Sequence, residues 1–377
     1  MYRIDYLVGD TVYPIYEPFD SAYSITAGVY HRETNTIGRL TFSVPFNHPH
    51  SEELDEYRGE VRLFWNATLL YKFRIIKVFR GFQNTRDVTC EGLIGYLSDS
   101  IVRPYTFNES NWLYPVSTGV HSCTVSEFVT ELIMLHNAQV TERQRFTFVD
   151  ETNGAFDGVT FTTSQNAYVK TWDELESKVL KNVGGYIQLR FAADGNRMVL
   201  KASLAESNTQ VVRFAVNLKN LSSDTAPQKF ATALYPISAY TDANGNRQTT
   251  GIAGVNGGID YVQDGNAVNR YGRIIEFVQY DGIVSAARLK AIAQRDLDAY
   301  LNRGRLISAA AVDMAVIDGS TPLEVDKMTR IISPVNGVDV TATLNAFDVD
   351  LLDPTQSTFT FNGEIPSFVR KSSNYRA

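Results

Sequence analysis

Hydrophobic and polar residues alternate along the first hundred positions with the two-residue period of half-buried strands. Residues 39–46 show this pattern most clearly, and residues 60–65 repeat it. Residues 69–79 and 85–90 are rich in β-branched and aromatic residues and predict two further strands. Several short strands at this spacing predict a small barrel or a sandwich.

The pattern changes between about residues 103 and 222, where helical spacing appears. Thr-x-x-Glu capping boxes at Thr124 and Thr171 each precede apolar residues three and four positions apart, which predicts two helices. The first helix is expected to run to about His136 and the second to end at Gly184-Gly185. Residues 186–202 then predict a β-hairpin. This stretch therefore has α+β character.

From about residue 223 the chain returns to strand patterning at 229–240 and 273–280, around a polar, Gly- and Asn-rich loop at 241–269. A helix follows, with Ser285 as its cap, one apolar stripe and Gly304 as its end. The last part of the chain predicts four more strands, at residues 306–317, 328–332, 338–344 and 358–361.

Taken together, these patterns predict a β-rich α+β protein with two β-patterned ends and an inserted α+β region. The length of 377 residues suits two to three domains. The predicted divisions are an N-terminal β domain at 1–102, an α+β middle domain at 103–222, a connecting domain of strands, Gly/Asn loop and long helix at 223–305, and a C-terminal β domain at 306–377.

Composition narrows the function classes. Hydrophobic residues make up 44% and charged residues 20% of the chain, which excludes disorder as its main state. A net charge of −7 argues against a protein that works by gripping phosphate backbones. The 20 Tyr and 21 Phe favour strands and interfaces. No apolar run reaches the ~18 residues of a membrane helix, and the N-terminus does not resemble an export signal, so we expect folding in the cytosol.

Few residues offer catalytic chemistry. His48 and His50 could supply two metal ligands, but spacing identifies no third. Cys123 precedes a predicted helix, where the dipole lowers the pKa of a thiol. His121 is its neighbour in sequence, whereas His136 lies about 20 Å along the same helix, too far to act as its base.

Other motifs are absent or incomplete. Residues 242–246 imitate the start of a calcium loop, but Arg247 and Ala253 occupy the positions that need Gly and Glu. The pair Glu52-Glu53 is too common a feature to indicate a glycosidase. No nucleophile elbow, P-loop or dinucleotide fingerprint occurs. We therefore predict a non-enzyme without catalytic, cofactor-binding or metal-binding residues, and no cofactor.

Several segments, in order, resemble the tail-associated (Tal) protein family of phages and prophages, often called prophage tail endopeptidases and related to the baseplate hub. The segments are 88–99 (VTCEGLIGYLSD), 135–137 (LHN), 183–187 (VGGYI), 239–240, 255–258 (VNGG) with 260–261, 270–272 (RYG), the long helix after Ser285, and 326–334. Their order and spacing over nearly the whole chain make the similarity fairly specific.

The resemblance implies a structural virion protein at the phage tail tip or baseplate, made in the host cytoplasm. It implies a homotrimeric hub, in which two small β-barrel tube domains per chain, here 1–102 and 306–377, continue the tail tube and an α+β region is inserted between them. The implied partners are the hexameric distal tail protein, the tape-measure protein, and receptor-binding proteins or the host surface. Phage DNA is expected to pass through the lumen without specific binding, and the tip to open on attachment. Longer members carry C-terminal wall-cleaving or fibre domains, whereas this sequence ends at Ala377, so we expect no endopeptidase activity.

Two alternatives remain open from the residues. A cell-wall hydrolase would need a cleft that contains Cys123 with His121, or His48 with His50. A carbohydrate-binding adhesin could use Trp112, Tyr105 and Tyr114 as stacking platforms, although aromatic residues more often lie in cores or subunit interfaces.

Overall fold

The computed structural model describes residues 1–80, 84–105, 123–156, 160–161, 165, 167–192, 195–224, 230–241, 246–281, 283, 285–302, 306–336 and 338–362. Contacts divide the chain into two units. The first unit contains 1–92, 204–226 and 305–377, and the second contains 93–203 and 227–304. The division into four domains drawn from the sequence stays a prediction.

Strands hold 46% of the described residues, which confirms the β-rich class. The strands are β1 Tyr2–Val8, β2 Thr11–Tyr16, β3 Ala27–Glu33, β4 Arg39–Pro45, β5 Glu60–Trp65, β6 Thr68–Arg80, β7 Thr85–Gly92, β8 Ile101–Val102, β9 Cys123–Thr124, β10 Phe146–Glu151, β11 Thr160–Phe161, β12 Val169–Lys170, β13 Tyr186–Ala192, β14 Gly195–Lys201, β15 Ser207–Arg213, β16 Leu218–Asp224, β17 Ala233–Thr241, β18 Arg247–Thr250, β19 Val262–Gln263, β20 Ile275–Asp281, β21 Leu306–Ala311, β22 Met328–Ser333, β23 Val338–Asp350 and β24 Thr358–Asn362. The α-helices are α1 Val125–Gln139, α2 Thr171–Leu175, α3 Gly265–Tyr271, α4 Ala286–Asn302 and α5 Ala315–Asp318.

The first unit is built on one sheet of 13 strands. Its main path runs β16-β21-β24-β23-β3-β4-β7-β6-β5-β1-β2, and β22 pairs with both β23 and β15 off this path. The 13-residue strand β23 joins the two ends of the chain, because 338–343 pair with β22 and 346–350 pair with β3. No closed barrel is found among the described strands, so the two barrels remain a prediction.

The two-residue period decides which side chains of this sheet are buried. In β4, Leu40, Phe42 and Val44 are buried and alternate with more exposed neighbours. Since successive side chains of a strand point to opposite faces, the apolar set forms one continuous inner surface. The predicted strands at 39–46, 60–65, 69–79 and 85–90 are thereby confirmed as β4 to β7.

Among the described residues, the second unit contains a three-stranded and a four-stranded sheet, each with a helix, and the two short strand pairs β9-β11 and β8-β12. The strands β10, β14 and β13 form one sheet in the order β10-β14-β13, and α1 contacts β10. In the other sheet β17 pairs with β18, β19 and β20, and α4 packs against β17. Buried residues of this second sheet and α4 form a common core that includes Leu234, Tyr280, Leu289, Ile292 and Leu297.

The capping box at Thr124 is confirmed, because the Thr124 hydroxyl accepts the Glu127 amide and the Glu127 carboxylate accepts the Thr124 amide. The box predicted at Thr171 is wrong. Lys170 is the residue before the helix, and α2 begins at Thr171 itself. The polar groups of the expected box are used elsewhere, since the Thr171 hydroxyl lies 2.7 Å from Ser100 Oγ and Glu174 binds other side chains.

Two further segments differ from expectation. The strand predicted at 306–317 ends at Ala311, because the buried Asp313 carboxylate accepts the backbone amides of Ala315 and Leu323 and the side chain of Gln210. These bonds place a loop and α5 where the apolar run suggested a strand. The polar loop predicted at 241–269 contains β18, β19 and the start of α3, whose first turn is capped by Asp264.

Candidate functional site

The two histidines considered as metal ligands serve the local structure. His48 is buried, and its Nε2 donates to the Ile15 carbonyl at 2.9 Å while its Nδ1 accepts the His50 amide at 3.1 Å. The His50 ring stacks on Tyr23 at 5.7 Å between centroids. Burial lowers the pKa of His48, which keeps the ring neutral. Both ring nitrogens of His48 are therefore occupied by protein partners.

The thiol of Cys123 is poorly suited to nucleophilic attack. Cys123 is buried in front of α1, and burial together with the nearby Glu127 raises its pKa to about 12. The expectation that the helix dipole lowers this pKa is wrong, because desolvation and negative charge outweigh the dipole. His121 lies outside the described residues, and His136 lies in the last turn of α1, at the other end of the helix.

A fully buried network surrounds His136 and superficially resembles a catalytic Ser–His pair. Ser100 Oγ lies 2.7 Å from both His136 Nδ1 and Thr171 Oγ1, and His136 Nε2 donates to the Gln144 carbonyl at 2.9 Å. Ser100, His136 and Thr171 are inaccessible to solvent. The network therefore connects α1 and α2 to the segment before β8. Ser100 is 36 residues from His136, so sequence spacing gives no signal for this contact.

Tyr105 does not form an exposed stacking platform. Its side chain is buried, and its hydroxyl donates to Glu174 Oε1 at 2.5 Å. The other carboxylate oxygen of Glu174 accepts Gln165 Nε2 at 2.8 Å, and the backbones of Tyr105 and Gln165 exchange two hydrogen bonds. The adhesin hypothesis thus loses Tyr105, whereas Trp112 and Tyr114 lie outside the described residues.

The remaining sequence candidates have structural partners or lie outside the described part. The Glu52 carboxylate accepts the buried guanidinium of Arg86, which also donates to the Ser51 carbonyl. The calcium-like stretch at 242–245 is outside the described residues. Within the described ranges, no group of three or more His, Cys, Asp or Glu side chains is placed to hold a metal ion, and no helix is long and apolar enough to cross a membrane.

The most distinctive feature is the contact between the two ends of the chain in the first unit. We call the pairing of β3 with residues 346–350 of β23, and the side chains around it, the seam. Tyr30 lies there between Phe73 and Phe347, with ring centroids at 5.8 and 5.1 Å. His31 Nδ1 lies 2.8 Å from the Asp348 carboxylate. The seam thus combines an aromatic core with a polar contact between strands about 317 positions apart.

Polar bonds extend the seam at the end of β3. Thr34 donates from its amide to the Asn345 carbonyl at 2.8 Å and from its hydroxyl to Asp326 Oδ1 at 2.7 Å. Asp326 is buried at a φ of 68°, a left-handed conformation that costs energy for a residue with a side chain. The Arg32 guanidinium lies 4.2 Å from the centre of the Tyr71 ring. Sequence analysis gave none of these pairings, because only the fold brings the residues together.

Comparisons with known proteins agree with this architecture. Residues 205–372 match the family model described as "Prophage endopeptidase tail". A search of curated protein sequences found no significant match.

Three solved structures have a similar fold. They are a tail protein from Neisseria meningitidis MC58 (10% identity, 96% of this chain and 97% of that chain, TM-score 0.61), prophage tail protein gp18 from Listeria monocytogenes EGD-e (13%, 97% and 96%, 0.58) and the 43 kDa tail protein of prophage MuSo2 from Shewanella oneidensis (10%, 95% and 98%, 0.61). At such identities the similarity establishes a shared fold over nearly the full length.

Proposed function

We propose that this chain is a phage tail protein related to the prophage endopeptidase tail family and that it forms a structural hub at the distal end of the tail. Three copies form a ring that continues the tail tube and docks on the hexameric distal tail protein. The tape-measure protein lies on its inner side, and receptor-binding proteins or the host surface lie around and below it. The ring closes the tip and opens on attachment, and DNA passes through without specific binding.

The observation that carries this proposal is the seam. Strands from the first 92 residues and from the last part of the chain form one sheet through β23. Each chain would therefore contribute two sets of strands to the wall of the proposed ring. Three chains with two strand sets each offer six sets, which suits docking on a sixfold ring. The acidic net charge of −7 also suits a lumen that DNA traverses without adhering.

A structural role is favoured over a catalytic one. The family description contains the word endopeptidase, which makes a peptidoglycan-degrading activity the natural competitor. Within the described residues, however, Cys123 is buried with a raised pKa, and His48 and His136 have both ring nitrogens bonded to protein groups. These observations support a role in assembly, as does the similarity to phage tail structures over the full length.

The proposal is tested by solution mass. Light scattering across a concentration series, alone and with purified distal tail protein, is expected to give a species of three times the chain mass of 42.1 kDa, or one that forms when the distal tail protein ring is present. The competing peptidoglycan-degrading activity is measured by incubating the same sample with peptidoglycan and recording the release of soluble fragments. A monomer under both conditions, or digestion at a rate typical of an enzyme, would refute the hub as proposed.

A further inference from the structure

The sheet of β17 and β20 has one covered and one exposed face. Toward α4 it presents Leu234 and Tyr280, which belong to the buried core of the second unit. The parallel register pairs Tyr235 with Phe277, and Ile275 lies two positions before Phe277 in β20, so these three residues lie on the opposite face. The Tyr235 and Phe277 rings are 6.3 Å apart between centroids. A strand pair with apolar residues on both sides predicts that both sides are buried in the working protein.

The exposed face is apolar and continues into the preceding residues. Phe277 is 58% exposed and Ile275 is 48% exposed, although both occupy regular strand positions. Tyr271 at the end of α3 is exposed as well, and Tyr235 is half-buried. We call Tyr235, Tyr271, Ile275 and Phe277 the apolar patch. Exposed aromatic and aliphatic side chains grouped on neighbouring segments are typical of protein interaction sites.

Positive charge borders the apolar patch. The Arg270 guanidinium lies 5.1 Å from the centre of the Tyr271 ring, and Arg273 lies at the same distance from Tyr261. In the described part of the chain, no carboxylate forms a salt bridge with either arginine. The nearby Asp264 is used to cap α3, and Asp260 lies 3.4 Å from the Tyr235 hydroxyl. An occupant of this surface therefore needs apolar side chains together with carboxylates.

We propose that the apolar patch is an interface between copies of this chain and meets a different, carboxylate-bearing surface of the neighbouring copy. The chain has 42 acidic and 35 basic residues, so a second copy offers an excess of carboxylates. Two apolar patches placed face to face would collect four arginines, two from each copy, which repel one another in one interface. A head-to-tail contact avoids this repulsion, and such contacts close into rings. This inference rests on the proposed ring and identifies one of its contact surfaces.

The test compares matched charge insertions. Phe277→Glu places a carboxylate in the apolar patch, and Arg273→Glu reverses its border charge. Phe19→Glu is the control, since Phe19 is 87% exposed in the first unit, outside the apolar patch. Sedimentation across a concentration series is expected to show at least tenfold weaker association for the first two variants and none of this loss for the control. Association of the wild type is expected to weaken with salt, and that dependence should be smaller for Arg273→Glu.

Hydrogen exchange of the wild-type protein gives a readout that needs no variant. Amides in residues 271–281 are expected to exchange more slowly at concentrations where the chain associates than where it is dissociated. If the wild type forms a trimer but the patch variants associate equally well, the interface assignment is overturned while the ring stands. A two-copy species overturns the head-to-tail arrangement. A wild type that stays monomeric even with the distal tail protein overturns both the interface and the proposed function.

Discussion

Replacing Phe347 by alanine is expected to weaken the seam more than any other single truncation we consider. Phe347 is buried, with its ring 5.1 Å from Tyr30 of β3 and 6.2 Å from Phe359 of β24. A buried Phe side chain removes roughly 150–250 Å² from water, worth about 4–6 kcal/mol at about 25 cal/mol per Å². Some of the cavity closes on truncation, so we expect a loss of about 3–5 kcal/mol in the local free energy of opening.

Hydrogen exchange followed by mass spectrometry measures this loss strand by strand. The position of Phe347 between β3 and β24 predicts that amides in 27–33 and 358–362 lose protection together. Strands β13 and β14, which belong to the second unit, are expected to keep theirs. Phe347→Leu conserves most of the volume and should cost below about 1.5 kcal/mol. Phe19→Ala, at an exposed position, should change stability by no more than about 0.5 kcal/mol.

Two results would contradict a coupling of the two ends of the chain through Phe347. If Phe347→Ala lowers the protection of β24 but leaves β3 unchanged, the seam does not couple the two ends of the chain. The same conclusion follows if the opening free energy of both strands falls by less than about 1 kcal/mol, because truncating a buried aromatic side chain in a core that both strands share should destabilise them by more than this.

Two other predictions concern titratable groups. Neither Cys90 nor Cys123 is expected to react rapidly with a disulfide reagent at pH 8 in the folded protein, because burial raises both pKa values, that of Cys123 to about 12. Both thiols should react after denaturation. A thiol that reacts rapidly in the folded protein would contradict this assignment. Lowering the pH from 7 to 5 should reduce the free energy of unfolding, because burial lowers the pKa of His48 in the folded protein. The stability that neutral His48 contributes is present above the unfolded pKa of about 6.5 and is lost as the pH falls through the folded pKa. In His48→Gln, the free energy of unfolding measured by urea denaturation should change less between pH 7 and pH 5. An unchanged pH dependence would show that His48 does not control it.

Local patterns predicted the elements whose stability is itself local. The two-residue period predicted β4 and β5, β-branched and aromatic content predicted β6 and β7, and the capping box at Thr124 predicted the start of α1, because each signal depends on residues close in sequence. The box at Thr171 failed although its sequence is equally good. Thr171 and Glu174 there contact Ser100 and Tyr105, about 70 residues away, and these tertiary hydrogen bonds replace the local cap.

The candidate site was less predictable than the elements. Tyr105 is an aromatic residue that could equally belong to a surface or a core, and only its bond to the buried Glu174 decides between them. The pairing of β3 with β23 has no counterpart in the local pattern, since either strand would look the same beside any apolar partner. The sequence around Asp326 does not indicate its left-handed backbone conformation either, because that conformation depends on hydrogen bonds with Thr34 and the Leu344 carbonyl.

The seam also determines when β3 can pair with β23 during translation. The residues of β3 emerge from the ribosome about 317 positions before their partners in β23, which at about 5–20 residues per second is a wait of roughly 15–60 s. The whole sequence of the second unit is made within that interval and can fold first, while β3 lacks the partner that covers one of its edges. An uncovered strand edge is a template for pairing with other chains. Many copies made at once would share that exposure, so the supply of chaperones during translation is expected to limit the yield of folded protein.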